Sequence, residues 1–273
     1  RVKLAFSEFL HRLPFYGLAV LCIEDAEVRA LAEEMPRHCI TYGFGADADV
    51  RASAVMQSGG RMHFTLHLPD GNSQDIVLNL PGRHNVLNAL AAAAVAWQLG
   101  VTRADIAAAL RKFEGIGRRF NIKGELALRQ GSALLVDDYG HHPTELAAVF
   151  EAARGGWPDK RLVVAFQPHR YSRTRDLFDE FSAVLSTADA VVLTDVYAAG
   201  EPPIQGADSK SLARSIRARG RLDPVLVGAA RELRDVLGDV LHDGDLLLMM
   251  GAGDIGAVSG QLAAYGLNLE PNP

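Results

Sequence analysis

Residues Ala133–Glu145 read ALLVDDYGHHPTE. Four apolar residues suit a buried strand, Ala133–Val136. Two carboxylates and two imidazoles follow at once, and Pro143 suits the first turn of a helix. The same cadence recurs to the end of the chain. Leu162–Phe166, Ala190–Thr194, Pro224–Val227 and Asp245–Met250 read as further strands. Helices are expected near Thr144–Arg154, Leu177–Ser186, Ser209–Arg219, Arg231–Leu241 and Ile255–Tyr265. Strands alternating with helices imply an α/β fold with a parallel, doubly wound sheet.

Upstream the pattern differs. Phe6–Leu13 has helical spacing, with Pro14 as its stop. Leu18–Ile23 is a continuous apolar run and reads as a buried parallel strand. Ala26–Met35 is helical, ended by Pro36, and His38–Tyr42 is a second strand, which completes a βαβ unit. Val50–Gln57, Arg61–Leu68 and Gln74–Leu80 read as a β-meander around Ser58-Gly59-Gly60 and Pro69-Asp70-Gly71-Asn72. An Ala-rich helix over Asn85–Leu99 precedes one near Ala104–Phe113 that Thr102 caps. Gly115-Ile116-Gly117 marks the boundary between residues 1–114 and 115–273, in keeping with the two domains expected of 273 residues. The tail Asn268–Pro273 reads as frayed.

The net charge of −5 gives no general field for nucleic acid or an anionic membrane. With 48% hydrophobic and 22% charged residues, the chain can bury a core and is not disordered. Ala89–Trp97, its longest alanine-rich apolar run, is far shorter than a bilayer span. RVKLAFSEFL at the start lacks the apolar core of a signal peptide. Cys22 and Cys39 are too few for a disulfide framework and point to a reducing cytoplasm. The chain opens on Arg1 without a methionine and reads as a fragment.

Ligands of open parallel sheets bind beyond the carboxyl ends of the strands. After the first strand, Asp138 suits the hydroxyls of a ribose, or merely caps a turn. His141 suits a proton or a substrate amine, or is merely solvated. A His-Asp metal site is disfavoured, because adjacent histidines point different ways. After the second, Gln167–Arg175 concentrates His169, Arg170, Arg173 and Arg175 in an otherwise acidic chain. That reads as a loop for carboxylate or phosphate, against a solvated basic loop. Asn85 and Asn88 share a helix face and carry the donor and acceptor an adenine edge needs, although Asn85 also suits an N-cap and Asn88 sits inside the first turn. Arg118 and Arg119 could reach a phosphate from the Gly-rich boundary; composition favours a solvated pair.

Gly251-Ala252-Gly253-Asp254-Ile255-Gly256 fits G-x-G-x-x-G, but it follows the last strand. A dinucleotide site puts that turn after the first, with an acidic residue about 20 positions on; Glu270 is too close. A tight turn is the stronger reading. No phosphate-binding G-x-x-x-x-G-K-[ST] loop occurs, nor any zinc spacing or G-x-S-x-G elbow.

Taken together, LPFYGLAVLCIED, PGRHNVLNALAA, GIGRRF, LLVDDYGHHPTE, FQPHRYSRTRDLF, DVYAAGEPPIQGADS and LLLMMGAGDIG resemble the muramyl (Mur) ligases of peptidoglycan synthesis. Within that family they look like the branch that adds L-alanine to UDP-N-acetylmuramate; the branch that recycles a whole tripeptide is the near alternative. The resemblance spans about residues 6–265. It implies a cytoplasmic, ATP- and Mg²⁺-dependent amide-bond ligase working through an acyl phosphate. It further implies a C-terminal Rossmann-like domain behind the rear of a central ATPase domain. The family's P-loop and Mg²⁺ ligands would precede Phe6, so this stretch alone is expected to be inactive. By the same resemblance Asn85, Asn88 and His84 sit at the nucleotide, with Asn88 on adenine. Arg119 contacts the ATP phosphates from the hinge, and Asp138 the ribose. Tyr139, His141, His169, Arg170 and Arg173 line the amino-acid pocket, where the two arginines grip the alanine carboxylate. Two other readings compete: an NAD-dependent oxidoreductase resting on Gly251–Gly256, and a nucleotide-binding module without catalysis.

Overall fold

The computed structural model describes residues 2–35 and 38–267. Pro36, Glu270 and the tail Asn268–Pro273 lie outside the described residues. The chain divides into two compact units, Arg1–Glu114 and Gly115–Pro273.

The first unit opens with α1 (Val2–His11), longer at its start than Phe6–Leu13 suggested and closed ahead of Leu13. The residue before Pro14 is pushed out of the helical region, so the last turn cannot include it. One five-stranded sheet follows, in spatial order β1 (Ala19–Cys22), β2 (Cys39–Gly43), β3 (Val50–Ser58), β4 (Arg61–His67), β5 (Ser73–Leu78). The first three strands are parallel and the last three antiparallel, so the βαβ unit and the meander share a sheet. β1 is not the buried strand that Leu18–Ile23 suggested. It lies at the sheet edge and buries only Ala19 of its own residues. α2 (Ala26–Glu34) starts at Asp25, whose carboxylate accepts the N–H groups of Glu27 and Val28.

Helix α3 (Arg83–Gln98) buries Val86, Ala89, Leu90, Ala93 and Ala94 against the sheet. Their i, i+3, i+4, i+7, i+8 spacing is one helix face. α4 (Arg103–Lys112) begins at Thr102, whose hydroxyl accepts the Asp105 N–H.

The second unit holds a six-stranded sheet. Its strands are β6 (Asn121–Ala127), β7 (Ser132–Asp138), β8 (Leu162–Phe166), β9 (Ala190–Leu193), β10 (Val225–Leu226) and β11 (Leu246–Met250), in spatial order β10-β9-β8-β11-β7-β6. Five strands are parallel. The sixth corrects the sequence reading: β6 runs antiparallel to β7 at the edge. It was missed because Gly124 interrupts the apolar face between Ile122 and Leu126, only Leu126 is buried, and a register shift between Ile122 and Gly124 breaks its period. Asp137 and Asp138 are the last residues of β7 rather than residues of the loop beyond it.

β11 shows why these strands read as unbroken apolar runs. Leu246, Leu248 and Met250 face α5 (Pro143–Gly156), α7 (Phe178–Leu185) and α8 (Ser209–Ala218), while Leu247 and Met249 face α9 (Leu233–Val240) and α10 (Ile255–Tyr265). A strand covered on both faces must be apolar on both. The Gln167–Arg175 stretch is not the loop it resembles: Tyr171–Asp176 forms a short helix, α6, separated from α7 by a break at Leu177. The Arg231–Leu241 helix opens as a 3₁₀ turn over Ala230–Glu232.

Asp208 caps α8 by accepting the Ser211 N–H at 2.7 Å, and that bond holds its carboxyl below the usual range. Asp208→Ala should cost about 1 kcal/mol at neutral pH, read by urea unfolding. A depressed pKa contributes stability above the unfolded value, about 3.9, and loses it as pH falls through the folded value. The gap between wild type and variant should therefore close on acidification through that window.

Candidate functional site

The loops after β7, β8, β9 and β11 meet at the carboxyl end of the second sheet. Because β11 lies between β7 and β8, the turn it feeds sits between the acidic loop and the basic one. Asp138 closes β7. It is 7% exposed, and its two oxygens accept the backbone N–H groups of Phe120 and Gly140, each at 2.7 Å. Burial pushes its carboxyl up, while those two N–H groups and the Arg119 charge pull it back down. Each oxygen keeps a lone pair for a ligand hydroxyl. Gly140 must lack a Cβ, which would lie 2.8 Å from Asp138 Oδ1 and 2.9 Å from Met250 Cε.

Arg118 and Arg119 are not the solvated pair that composition suggested. The Arg118 guanidinium donates to the Gly251 carbonyl, approaches Asp137 to 3.5 Å and lies 5.0 Å over the Tyr139 ring. Its φ of 61° is unfavourable for arginine, and the same holds for Phe120 at 42°. Arg118 therefore ties the loop after β7 to the turn after β11. Arg119 is exposed, and its side chain makes no hydrogen bond or ion pair among the described residues. That leaves its charge available to an anion.

The two histidines part company. His142 is the N-cap of α5, with Glu145 completing a capping box, so it is not merely solvated. His141 turns to the other side, where Tyr139 packs edge-on at 5.2 Å and His169 lies 5.8 Å away. Glu145 Oε2 accepts the N–H groups of His141 and His142 at 2.9 and 3.1 Å.

His169 follows β8. Arg173 Nη1 lies 3.3 Å from its Nδ1 and 3.1 Å from its carbonyl oxygen. Burial, then the charges of Arg173, His141 and Arg170, push this imidazole below its usual pKa. Arg170 sits at the N-terminus of α6 with φ of 72°, exposed, its guanidinium 3.9 Å from Glu201. Glu201 accepts the Ser172 N–H and hydroxyl at 2.9 and 2.7 Å, which fixes α6 against the loop after β9.

Sequence reasoning passed over Tyr197. It stacks on His169 with centroids 5.4 Å apart and planes 11° from parallel. Its N–H donates to the Pro168 carbonyl, and its carbonyl accepts the Arg170 N–H, both at 2.8 Å. Glu201 and Gln167 were passed over as well. Gln167, 4% exposed, donates to Asp254 at 2.6 Å and accepts the Ile255 N–H at 3.2 Å. The signal for Tyr197 and Glu201 was present: they follow a strand end, where ligand residues gather.

These contacts also decide the Gly251–Gly256 turn. A Cβ on Gly253 would strike Gln167 and Tyr197, and one on Gly256 would strike the Arg118 guanidinium. Protein side chains fill the space a dinucleotide would need, so the turn is a packing device.

In the first unit, Gly82 rather than Asn85 precedes α3 as its cap, with φ of 94°. Asn85 is buried within the helix; its amide donates to the Pro81 carbonyl at 2.7 Å. His84 is half-buried. Asn88 lies in the second turn, not the first. It is exposed and donates weakly to Asn85 Oδ1 at 3.4 Å. Its carbonyl oxygen and a second N–H stay available, which is what an adenine edge requires. Arg83 stacks 4.1 Å over Phe44.

Among the described residues no group of three or more His, Cys, Asp or Glu side chains could hold a metal ion. No helix of the described residues is long and apolar enough to cross a membrane.

Two families match the chain: the Mur ligase middle domain over residues 1–96, and the Mur ligase glutamate ligase domain over 118–253. The UDP-N-acetylmuramate–L-alanine ligase of Stenotrophomonas maltophilia K279a is 68% identical over 99% of this chain and 57% of its own length. The enzyme of that name from Xanthomonas campestris pv. campestris B100 is 67% identical over 97% of this chain and 56% of its own. The chain thus spans little more than half the length of these relatives. A crystal structure of UDP-N-acetylmuramate-alanine ligase MurC from Thermotoga maritima superposes with a TM-score of 0.74 at 27% identity, covering 96% of this chain and 54% of that one.

Proposed function

The chain belongs to the Mur ligase family, and we propose that the whole protein joins L-alanine to UDP-N-acetylmuramate in peptidoglycan synthesis, using ATP. The observation that carries this reading is the cluster of Tyr139, His141, His169, Arg170 and Arg173 at the ends of β7 and β8. It offers cationic forks beside two imidazoles within a few ångströms. That chemistry suits a small molecule bearing one carboxylate and one amine.

ATP supplies the phosphoryl group that turns the muramyl carboxylate into an acyl phosphate. In the first unit, Asn88 would pair with the adenine edge, with His84 beside it and Asn85 fixing its direction. In the second, Asp138 would take ribose hydroxyls and Arg119 a phosphate. Arg170 and Arg173 would hold the alanine carboxylate, and His141 would meet its amine. Arginine charge is most effective where negative charge grows during transfer, so Arg119 would act chiefly on the transition state. No described residue is assigned to Mg²⁺, and no step here passes through it.

Phosphate release by the full-length protein is the test. Release should need UDP-N-acetylmuramate, L-alanine and ATP together. Release with an alanine-headed tripeptide but not with alanine would reassign the protein to tripeptide recycling. ATP binding with no release under either condition would leave a nucleotide-binding module.

A further inference from the structure

His141 and His169 meet at the site, but the partners of their Nδ1 atoms are opposite in kind. His141 Nδ1 lies 3.0 Å from the Tyr139 carbonyl oxygen and 3.7 Å from Glu145 Oε2. Both partners only accept, so this Nδ1 carries the hydrogen and Nε2 is left with a lone pair. His169 Nδ1 faces Arg173 Nη1 at 3.3 Å. A guanidinium only donates and keeps its protons. That Nδ1 is therefore bare, and the hydrogen sits on Nε2. Tyr197, stacked on the His169 ring, holds it in this orientation.

We propose that the two imidazoles have opposite duties toward the incoming amino acid: His141 Nε2 takes a proton from its ammonium, and His169 Nε2–H donates to its carboxylate. Glu145 is the positioning residue of the first and Tyr197 of the second. The proposal rests on the amino-acid-adding reading above. Free alanine carries an ammonium with no lone pair. One proton passes to His141 Nε2, and the amine attacks the acyl phosphate carbon. The C–N bond forms, the C–O bond to phosphorus breaks, and the second amine proton leaves with the departing phosphate. The imidazolium formed on His141 has the Glu145 carboxylate behind it, the arrangement that orients and stabilises a general base. The titratable and charged groups facing His141 are Tyr139, Glu145 and His169. Arg173, Arg170 and Glu201 stand behind His169.

Nitrogen-15 NMR of this chain labelled in histidine tests the tautomers without any activity. Signals assigned with H141N and H169N should show an Nδ1–H imidazole for His141 and an Nε2–H imidazole for His169. The reverse pattern, or one tautomer for both, overturns the proposal. The duties are read from the pH dependence of kcat/KM for L-alanine in the full-length protein. H141N should lose roughly a hundredfold and the acid limb with it. H169N should raise KM and keep the limb. E145Q retains an oxygen for the two backbone N–H groups but removes the carboxylate behind His141, so kcat should fall while the KM for L-alanine stays near that of the wild type. Y197A should raise the alanine KM several-fold, and Y197F should recover it. An acid limb that survives in H141N, or follows His169, overturns the division of labour. If the wild-type protein makes no alanine-dependent phosphate, the functional reading itself falls, while the NMR result stands by itself.

Discussion

Asp138→Asn is expected to destabilise the second unit by about 1–3 kcal/mol, less than Asp138→Ala, although the asparagine is isosteric. The reason is donor arithmetic. Asp138 is 7% exposed and accepts one N–H on each oxygen, from Phe120 and from Gly140. A carboxamide must present its NH₂ to one of those N–H groups, so two donors would face each other. Alanine leaves both N–H groups unsatisfied, at about 1–3 kcal/mol each. Urea unfolding of the two variants reads the effect. A loss below 1 kcal/mol in Asp138→Asn would mean that this corner opens to solvent.

The second large effect concerns the anion side of the site. Arg173→Ala should raise the KM for L-alanine by about 30- to 1,000-fold with a smaller change in kcat, the equivalent of about 2–4 kcal/mol for a charged pair cut on one side. Arg173→Lys should recover only part of this, because a point charge cannot reproduce the guanidinium fork. Arg173 also touches His169 twice, so the alanine variant frees that imidazole as well. The loss should therefore exceed that of Arg170→Ala, whose guanidinium is exposed and, among the described residues, meets only Glu201 at 3.9 Å. Steady-state kinetics of the full-length protein decides it; an unchanged KM removes Arg173 from the pocket.

What the sequence could yield followed the strength of its periodic signals. β8 and α10 lie where the apolar runs ended, because strands buried on both faces and strongly apolar helices leave little ambiguity. β6 was hidden by its own chemistry: an edge strand with a glycine between Ile122 and Leu126, and a register shift beside it, sustains no apolar face. The basic stretch passed for a loop because a six-residue helix of YSRTRD has no apolar stripe. The proposed site residues stood out where they ended an apolar run, as Asp138 and His141 do, or where charge concentrated, as at Arg170 and Arg173. Tyr197 and Glu145 did neither. Their importance lies in which atom they face, and a linear text carries no such information. Arg118 shows the converse: its partner Gly251 is 133 positions away, so nothing local distinguished it from Arg119.

The backbone angles at Arg118, Phe120 and Arg170 also bear on how such a protein responds to engineering. All three are non-glycine residues at positive φ, at 61°, 42° and 72°, and all three border the cluster. Each such conformation costs on the order of 1–3 kcal/mol. At Arg170, whose side chain is exposed, a campaign that rewards heat resistance alone would find asparagine or glycine early, whereas Phe120 is 3% exposed and stacked on Trp157, and the core holds it in place. The campaign would then harvest melting temperature from a residue of the proposed amino-acid site. Thermal screens of this protein therefore call for a catalytic counter-screen from the first round, because relief of strain at Arg170 and loss of its charge fall on the same codon.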